Sequence, residues 1–411
     1  MKTIPDHLSP GQAWERMVTC SPLPIVTIPL EEALDHCLAE EFLAHEDVPV
    51  ANRSFMDGFA VRAEDLTEVP VRVKLIGEVL MGEISDQPLD PGDAMAIPTG
   101  GYLPEGADAV VMQEDTEVSG NSVVIKRIIQ KGDNVQARAE DFHNGDRMFH
   151  AGHRLRPQDL SAIATFGVAT VSVYRRPTLG IVSTGNELIP FDRGGGEPGK
   201  IRETNALALD GAARKFGFKS RRLGIIRDEL EAQRAAMQEA IDSSDVVLVS
   251  GGSSVGERDF TLQVIRSFED SQIHFHGLAI RPGNPTIFAS IGSRFVFGLP
   301  GQPVSSLIVF YQFALPFLFH LAGESIQYEF FHSTQFRMRH AFLAKPIRRL
   351  KLRTDYVRLR LEHSGGRWRA FPLPGKSASL STLAMADGYC IVLPGEDRIP
   401  EDTEIKVILF P

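Results

Sequence analysis

The sequence predicts a multidomain α/β plus β protein. A central α/β domain has a mostly parallel sheet, a helical and extended region carries a β-rich insertion, and a small all-β module closes the chain. Three observations predict this. Strand and helix patterns alternate after Arg176-Pro177, the mark of a mostly parallel sheet covered by helices. Short β-like runs with frequent turns fill residues 48–146 and interrupt a helical texture that returns at Pro157. A two-stranded hairpin pattern runs through Tyr356-Val357-Arg358-Leu359, Ser364-Gly365-Gly366 and Arg367-Trp368-Arg369. At 411 residues, 43% hydrophobic and 23% charged, the chain has a globular composition. At roughly 150 residues per domain it holds about two to three domains, or four small ones.

In chain order, residues 12–45 predict helix, because Leu30, Ala33, Leu34, Cys37 and Leu38 are spaced three to four apart. The insertion predicts strands over 71–76, 109–112 and 122–125, bounded by turn residues. Helix returns over 157–164. The third region predicts strands over 179–183, 222–226, 246–250 and 295–297, and helices over 206–215, 229–241, 261–268 and 304–321. The last helix has the hydropathy of a membrane span. It contains Ser305, Ser306, Gln312, Pro316 and His320, however, so a buried core helix explains it better.

Lys+Arg 43 against Asp+Glu 53 gives a net charge of −10, which argues against a nucleic-acid or membrane-surface protein. The polar start, Met1 to His7, lacks the apolar run of a signal peptide. Cys20, Cys37 and Cys390 are scattered, with no CxxC or HExxH. Neither a disulfide framework nor a structural zinc site is expected, and a reducing, cytoplasmic setting is. Residues 337–369 hold eleven Lys/Arg against Asp355 and Glu362, a local balance of +9. That band either grips an anionic small molecule or is a solvated edge protected against aggregation.

Three loops that would leave the carboxyl ends of parallel strands carry glycine, hydroxyls and acids. They are Ser183-Thr184-Gly185-Asn186-Glu187, Ser250-Gly251-Gly252-Ser253-Ser254-Val255-Gly256 through Asp259, and Gly298-Leu299-Pro300-Gly301-Gln302-Pro303-Val304-Ser305. Ligands of open parallel sheets bind at that edge, and glycine lets backbone N–H groups approach an oxyanion. No loop alone matches the P-loop or dinucleotide pattern. Asp57, Glu187, Asp228 and Asp259 lie among these donors, as suits Mg²⁺ bridging carboxylates to a diphosphate. Asp228, with Glu231 three residues on, also fits a capping box, and Asp259 an N-cap.

Five ordered motifs resemble the molybdenum insertase family, MoeA and the gephyrin E-domain. They are Ser54-Phe55-Met56-Asp57-Gly58-Phe59-Ala60, Thr99-Gly100 with Pro104-Glu105-Gly106-Ala107-Asp108, and the three loops just described. The resemblance runs essentially end to end. It implies four domains: a helical and extended one over 1–46 and 147–176, an inserted β-rich one over 47–146, a MogA-like α/β one over 177–327, and a β-barrel over 328–411. It also implies a homodimer with its site at a cleft between subunits, and transient contact with other cofactor-synthesis proteins. The activity implied is insertion of molybdenum from molybdate into adenylylated molybdopterin, with Mg²⁺- or other divalent-metal-dependent diphosphate cleavage and AMP release.

Position by position, the resemblance implies catalytic roles for Asp57, Thr99, Glu187, Asp228 and Asp259, the last three also as metal ligands. Substrate binding falls to Ser183, Thr184, Gly185, Asn205, Ser250, Gly251, Gly252, Ser254, Gly256, Pro300, Gly301 and Pro303. Molybdate falls to Arg281, Pro282, Pro285, Ser305, Arg358 and Ser377. Some positions depart from the family. Gly277, Arg281 and Asn284 stand where lysine is frequent, Gln302 where asparagine is usual, and Glu203 where aspartate is usual. An active enzyme and an impaired paralogue that binds molybdopterin or acts as a scaffold are the two readings this leaves.

Overall fold

The computed structural model describes residues 7–194, 196, 198–251, 260–328 and 331–411. They divide into two compact units: Met1–Ala39 with Gly152–Arg156 and Thr170–Pro411, and Glu40–Ala151 with Pro157–Ala169. In the first unit the N-terminal helix is shorter than its apolar spacing suggests. Pro10–Met17 is helical, closed by a capping box between Ser9 and Gln12. Beyond Met17 the prolines Pro22, Pro24 and Pro29 deny the helix its backbone donors. The β-branched run Ile25–Pro29 instead pairs antiparallel with Thr170–Tyr174. Leu30–Glu32 manages a single 3₁₀ turn.

The α/β part is a six-stranded sheet in the order Ser220–Ile226, Leu179–Thr184, Val246–Ser250, Arg294–Leu299, Ile287–Ile291, Ser271–His276. The first four strands are parallel, as the alternation with helices predicts. The last two add an antiparallel edge that the sequence reading did not anticipate. Helices Asn205–Lys215, Leu230–Ser243 and Phe260–Arg266 cover it.

The apolar run Pro303–Leu321 is long and apolar enough to cross a membrane but is almost wholly buried within the protein. Its middle, Phe310–Ala314, is a π-helical turn. Pro316 lacks the N–H that would bond back to Gln312, so the ladder loosens just before it. Phe317 packs its ring 4.9 Å from Phe288 and Phe295 of the sheet. The same apolar cluster continues into Tyr356, Tyr389 and Ile408. One core therefore joins the α/β layer to the C-terminal strands.

Those strands close into a barrel. Thr354–Ser364, Arg367–Pro372, Met338–Leu343, Glu404–Leu409 and Gly388–Val392 pair in turn, and Gly388–Val392 returns to Thr354–Ser364. The expected hairpin is there, with Ser364 opposite Arg367 and left-handed Gly365 and Gly366 between them. Strand Ile280–Arg281 leaves the α/β part and adds in parallel to Thr354 and Asp355, which places Arg281 beside Asp355.

The second unit holds its own six-stranded sheet in the order Ala109–Met112, Gly58–Val61, Asp93–Ile97, Val71–Glu78, Ser122–Ile125, Thr116–Ser119. Gly58 is required there, because a Cβ would lie 1.9 Å from the Val111 carbonyl oxygen.

Candidate functional site: two cavities on one wall

The four parallel strands end on the same side, so the loops after Thr184, Ile226, Ser250 and Leu299 converge. A cavity of about 830 Å³ opens there, walled by Thr184, Gly185, Glu187, Asn205, Asp228 and Ser250, with Gly251, Gly301 and Pro303 beside them. Asn205 ties the wall together: its side-chain amide donates to Ser250 Oγ and to the Gly301 carbonyl, each at 2.8 Å. Gly251 has φ +110°, and a Cβ would fall 2.2 Å from the Thr184 carbonyl oxygen, so no other residue fits.

The acids of this cavity behave differently from one another. Asp228 accepts from the Asn186 amide at 3.3 Å and from Gln233 Nε2 at 3.1 Å, while Asn186 Oδ1 accepts from the Asp228 amide. The following helix begins with Glu229 as its cap and has no side-chain cap bond, so Asp228 is not the capping residue its spacing suggested. It braces two loops instead. The Glu187 carboxylate curls over Gly185, where a Cβ would lie 2.8 Å from both of its oxygens. Glu203, on the same wall, is a helix residue in effect: its carboxylate accepts from the Ala206 amide at 2.7 Å.

Two of the glycine amides do not join the open cradle expected of them. The Gly185 N–H donates to Ile226 O and the Gly251 N–H to Leu299 O, because both continue the sheet ladder. Gly252, Ser254, Gly256 and Asp259 lie outside the described residues. Ser183 opens onto a neighbouring cavity instead, with Phe191 and Arg222. Its Oγ and Thr184 Oγ1 are buried with no hydrogen-bond partner among the described residues.

A second cavity, of about 890 Å³, shares the Gly301-Gln302 wall and runs to the barrel. Arg281, Pro282, Pro285, Pro300 and Ser305 line its α/β side, Arg358 and Ser377 its barrel side. The Ser377 hydroxyl donates to Gln302 Oε1, joining the barrel to the shared loop. Arg281 grips buried Asp355 through Nε at 3.1 Å and through Nη2. Arg358 is 8% exposed, donates one Nη to the Gly375 carbonyl at 2.9 Å, and keeps a buried Nε with no partner among the described residues. Burial pulls its pKa down, Asp355 opposes that, and Arg281 adds to it.

Two further cations line this cavity, Arg353 and Lys376, neither singled out from the sequence. Arg353 belongs to the +9 band, read as a whole rather than residue by residue, and Lys376 lies beyond it.

Asp57 and Thr99 lie in the second unit and form a pair of their own. Asp57 Oδ1 accepts from the Thr99 amide at 2.7 Å and the Thr99 hydroxyl at 3.0 Å. Those bonds, the amide's first, hold the Asp57 pKa below the usual carboxylate value.

Family profiles match nearly the whole chain in the same order. Residues 8–167 match the MoeA N-terminal region (domain I and II), 180–320 a probable molybdopterin binding domain, and 340–410 the MoeA C-terminal region (domain IV). The molybdopterin molybdenumtransferase of Bacillus subtilis is 37% identical over 388 residues, which is 90% of this chain and 86% of that one. The chain belongs to the MoeA family. A Staphylococcus aureus molybdopterin molybdenumtransferase is 30% identical over 383 residues, covering 92% and 89%. Two solved structures of the molybdopterin biosynthesis MoeA protein from Pyrococcus horikoshii superpose with TM-scores of 0.82 and 0.81. They are 31% and 27% identical and cover 99% and 98% of this chain and 100% of theirs.

Within the MoeA frame the departures have local reasons. Gly277 has φ +103°, and a Cβ would lie 2.7 Å from the His7 ring, so lysine is not accommodated. Asn284 turns inward, bonding the Leu278 carbonyl and His7. Among the described residues no cluster of three or more His, Cys, Asp or Glu could hold a metal. A Mg²⁺ that keeps its waters and takes phosphate oxygens needs only one or two carboxylates, and Glu187 and Asp228 on one cavity wall fit that demand.

Proposed function

We propose that the chain acts in molybdenum cofactor biosynthesis as a molybdopterin molybdenumtransferase, inserting molybdenum from molybdate into adenylylated molybdopterin, with metal-dependent diphosphate cleavage and release of AMP. The observation that carries this reading is the opposite charge balance of two adjoining cavities, Glu187, Glu203 and Asp228 against Arg202 in one and Arg281, Arg353, Arg358 and Lys376 against Asp355 in the other. Glu187 and Asp228, with Asp259 by family resemblance, are the residues that would hold Mg²⁺, which when bound polarises the diphosphate.

The remaining work falls to this chain's own groups. Asn205 holds the Gly301 loop against Ser250, so the shared wall keeps its shape while the substrate lies across it. Arg358 and Lys376 place positive charge where molybdate and the pterin dithiolene must meet. Asp57 is exposed and Thr99 fixes its Oδ1, as suits a carboxylate held ready for a ligand. Arg353 and Lys376 offset the lysines absent at Gly277 and Asn284, which weighs for turnover over a binding-only role.

The reaction is placed in the cytoplasm, consistent with Cys20, Cys37 and Cys390 as free thiols. The working form is proposed to be a homodimer. Purified protein given adenylylated molybdopterin, Mg²⁺ and molybdate should release AMP and yield active cofactor. Absence of AMP above background overturns the catalytic reading.

A further inference from the structure

We propose that the cation-lined cavity selects a fully deprotonated tetrahedral dianion over hydrogenphosphate, because its one carboxylate among the described residues, Asp355, is already bound by Arg281. This deepens the reading that the cavity takes the oxyanion substrate. Asp355 is 3% exposed, and both of its oxygens accept from the Arg281 guanidinium. An ionised carboxylate only accepts hydrogen bonds, so this pairing removes the one anionic acceptor among the residues lining the wall.

Two of the neutral acceptors nearby are also engaged. Gln302 Oε1 accepts from Ser377, and the Gly375 carbonyl accepts from Arg358. The cations on this wall, Arg353, Arg358 and Lys376, can only donate, and no ion pair holds Arg353 or Lys376 among the described residues; the Ser305 and Ser377 hydroxyls are neutral groups that can still accept.

Molybdate, tungstate and sulfate carry no proton near neutral pH and need only donors. Hydrogenphosphate brings one O–H that requires an acceptor, and here it finds only neutral oxygens in place of a free carboxylate. The assignment makes Arg281 a positioning and specificity residue. It acts on the ligand through Asp355, which it neutralises and turns away.

The test is competition for labelled molybdate on the full chain at low salt and mildly alkaline pH. Tungstate, sulfate and phosphate serve as unlabelled competitors. Tungstate and sulfate should displace the label, and phosphate should need roughly tenfold more than sulfate, the size of penalty that a neutral acceptor in place of a charged one imposes. Arg281→Gln strips Asp355 of its partner and should narrow or reverse that gap while weakening molybdate binding. Phosphate competing as well as sulfate on the wild type overturns the inference, whether or not R281Q folds. An unchanged gap in a folded R281Q also overturns it. AMP release is read separately, so lost selectivity with AMP release intact removes this inference alone.

Discussion

The two cavities differ in what holds their charge in place. On the strand-end side the acids are tied to backbone and amide groups: Asp228 to Asn186 and Gln233, Glu203 to the Ala206 amide. On the barrel side a carboxylate is spent on a cation, and the unpaired groups are Arg353 and Lys376. The first arrangement leaves negative charge facing a cavity of about 830 Å³, the second leaves positive charge facing one of about 890 Å³. A buried charge such as Asp355 survives only when its neighbours bond it, whereas Arg353 and Lys376 are exposed and are kept charged by solvent. The family's lysines are thus not the only solution to holding an oxyanion. The barrel can supply cations from strand Thr354–Ser364 and the loop beyond Arg367–Pro372.

The contrast breaks most sharply at Glu187. Glu187→Ala should cut the rate of AMP release by about 100- to 1000-fold, the loss typical of removing one electrostatic stabiliser, while its melting temperature stays unchanged. Molybdate binding in that variant should be unaltered. A lower melting temperature together with lost molybdate binding would make Glu187 structural.

Gly251→Ala attacks the same wall through its backbone. The left-handed φ and the 2.2 Å approach to Thr184 O should cost about 3 kcal/mol, measured by denaturant unfolding.

The core beneath both cavities gives a control of comparable size. His332 bonds Gln312, which bonds Tyr389, and burial holds the His332 pKa at about 4 against an ordinary 6.5. Below 6.5 the unfolded chain takes up a proton that the folded ring refuses. Stability is therefore full above that value, is lost as pH falls toward 4, and levels off below it. The loss should be on the order of 3 kcal/mol. His332→Gln should flatten that stretch of the stability-against-pH curve without favouring either cavity's ligand.

Smallest is Lys376→Ala, which should weaken molybdate binding by roughly three- to tenfold at low salt and hardly at all at high salt, as a screened charge does. AMP affinity should not move.

Much of this was legible in the sequence where local rules are strict. The four parallel strands follow from apolar runs alternating with helices, and the Gly365-Gly366 hairpin from its turn chemistry. Strand Ser271–His276 was missed because Gln272 and His274 interrupt its apolar residues. The N-terminal helix was overextended because the spacing of Leu30, Ala33 and Cys37 outweighed three prolines. The Arg281–Asp355 pair joins residues 74 apart and the barrel closes by pairing Asp355 with Val392, which no local pattern encodes. Charge counting located the cationic band but not which members face a cavity. The convergence of Glu187 and Asp228 followed from strand-end placement. Asp57 and Thr99 pair with each other in the second unit, and Asp259 lies outside the described residues.

The most direct test of two separate, oppositely charged cavities is equilibrium dialysis of molybdate with and without saturating AMP and Mg²⁺. Both ligands should bind together, with the molybdate dissociation constant changing by less than about twofold, a coupling near zero. Displacement of molybdate by AMP would mean one shared site, and the account would fail.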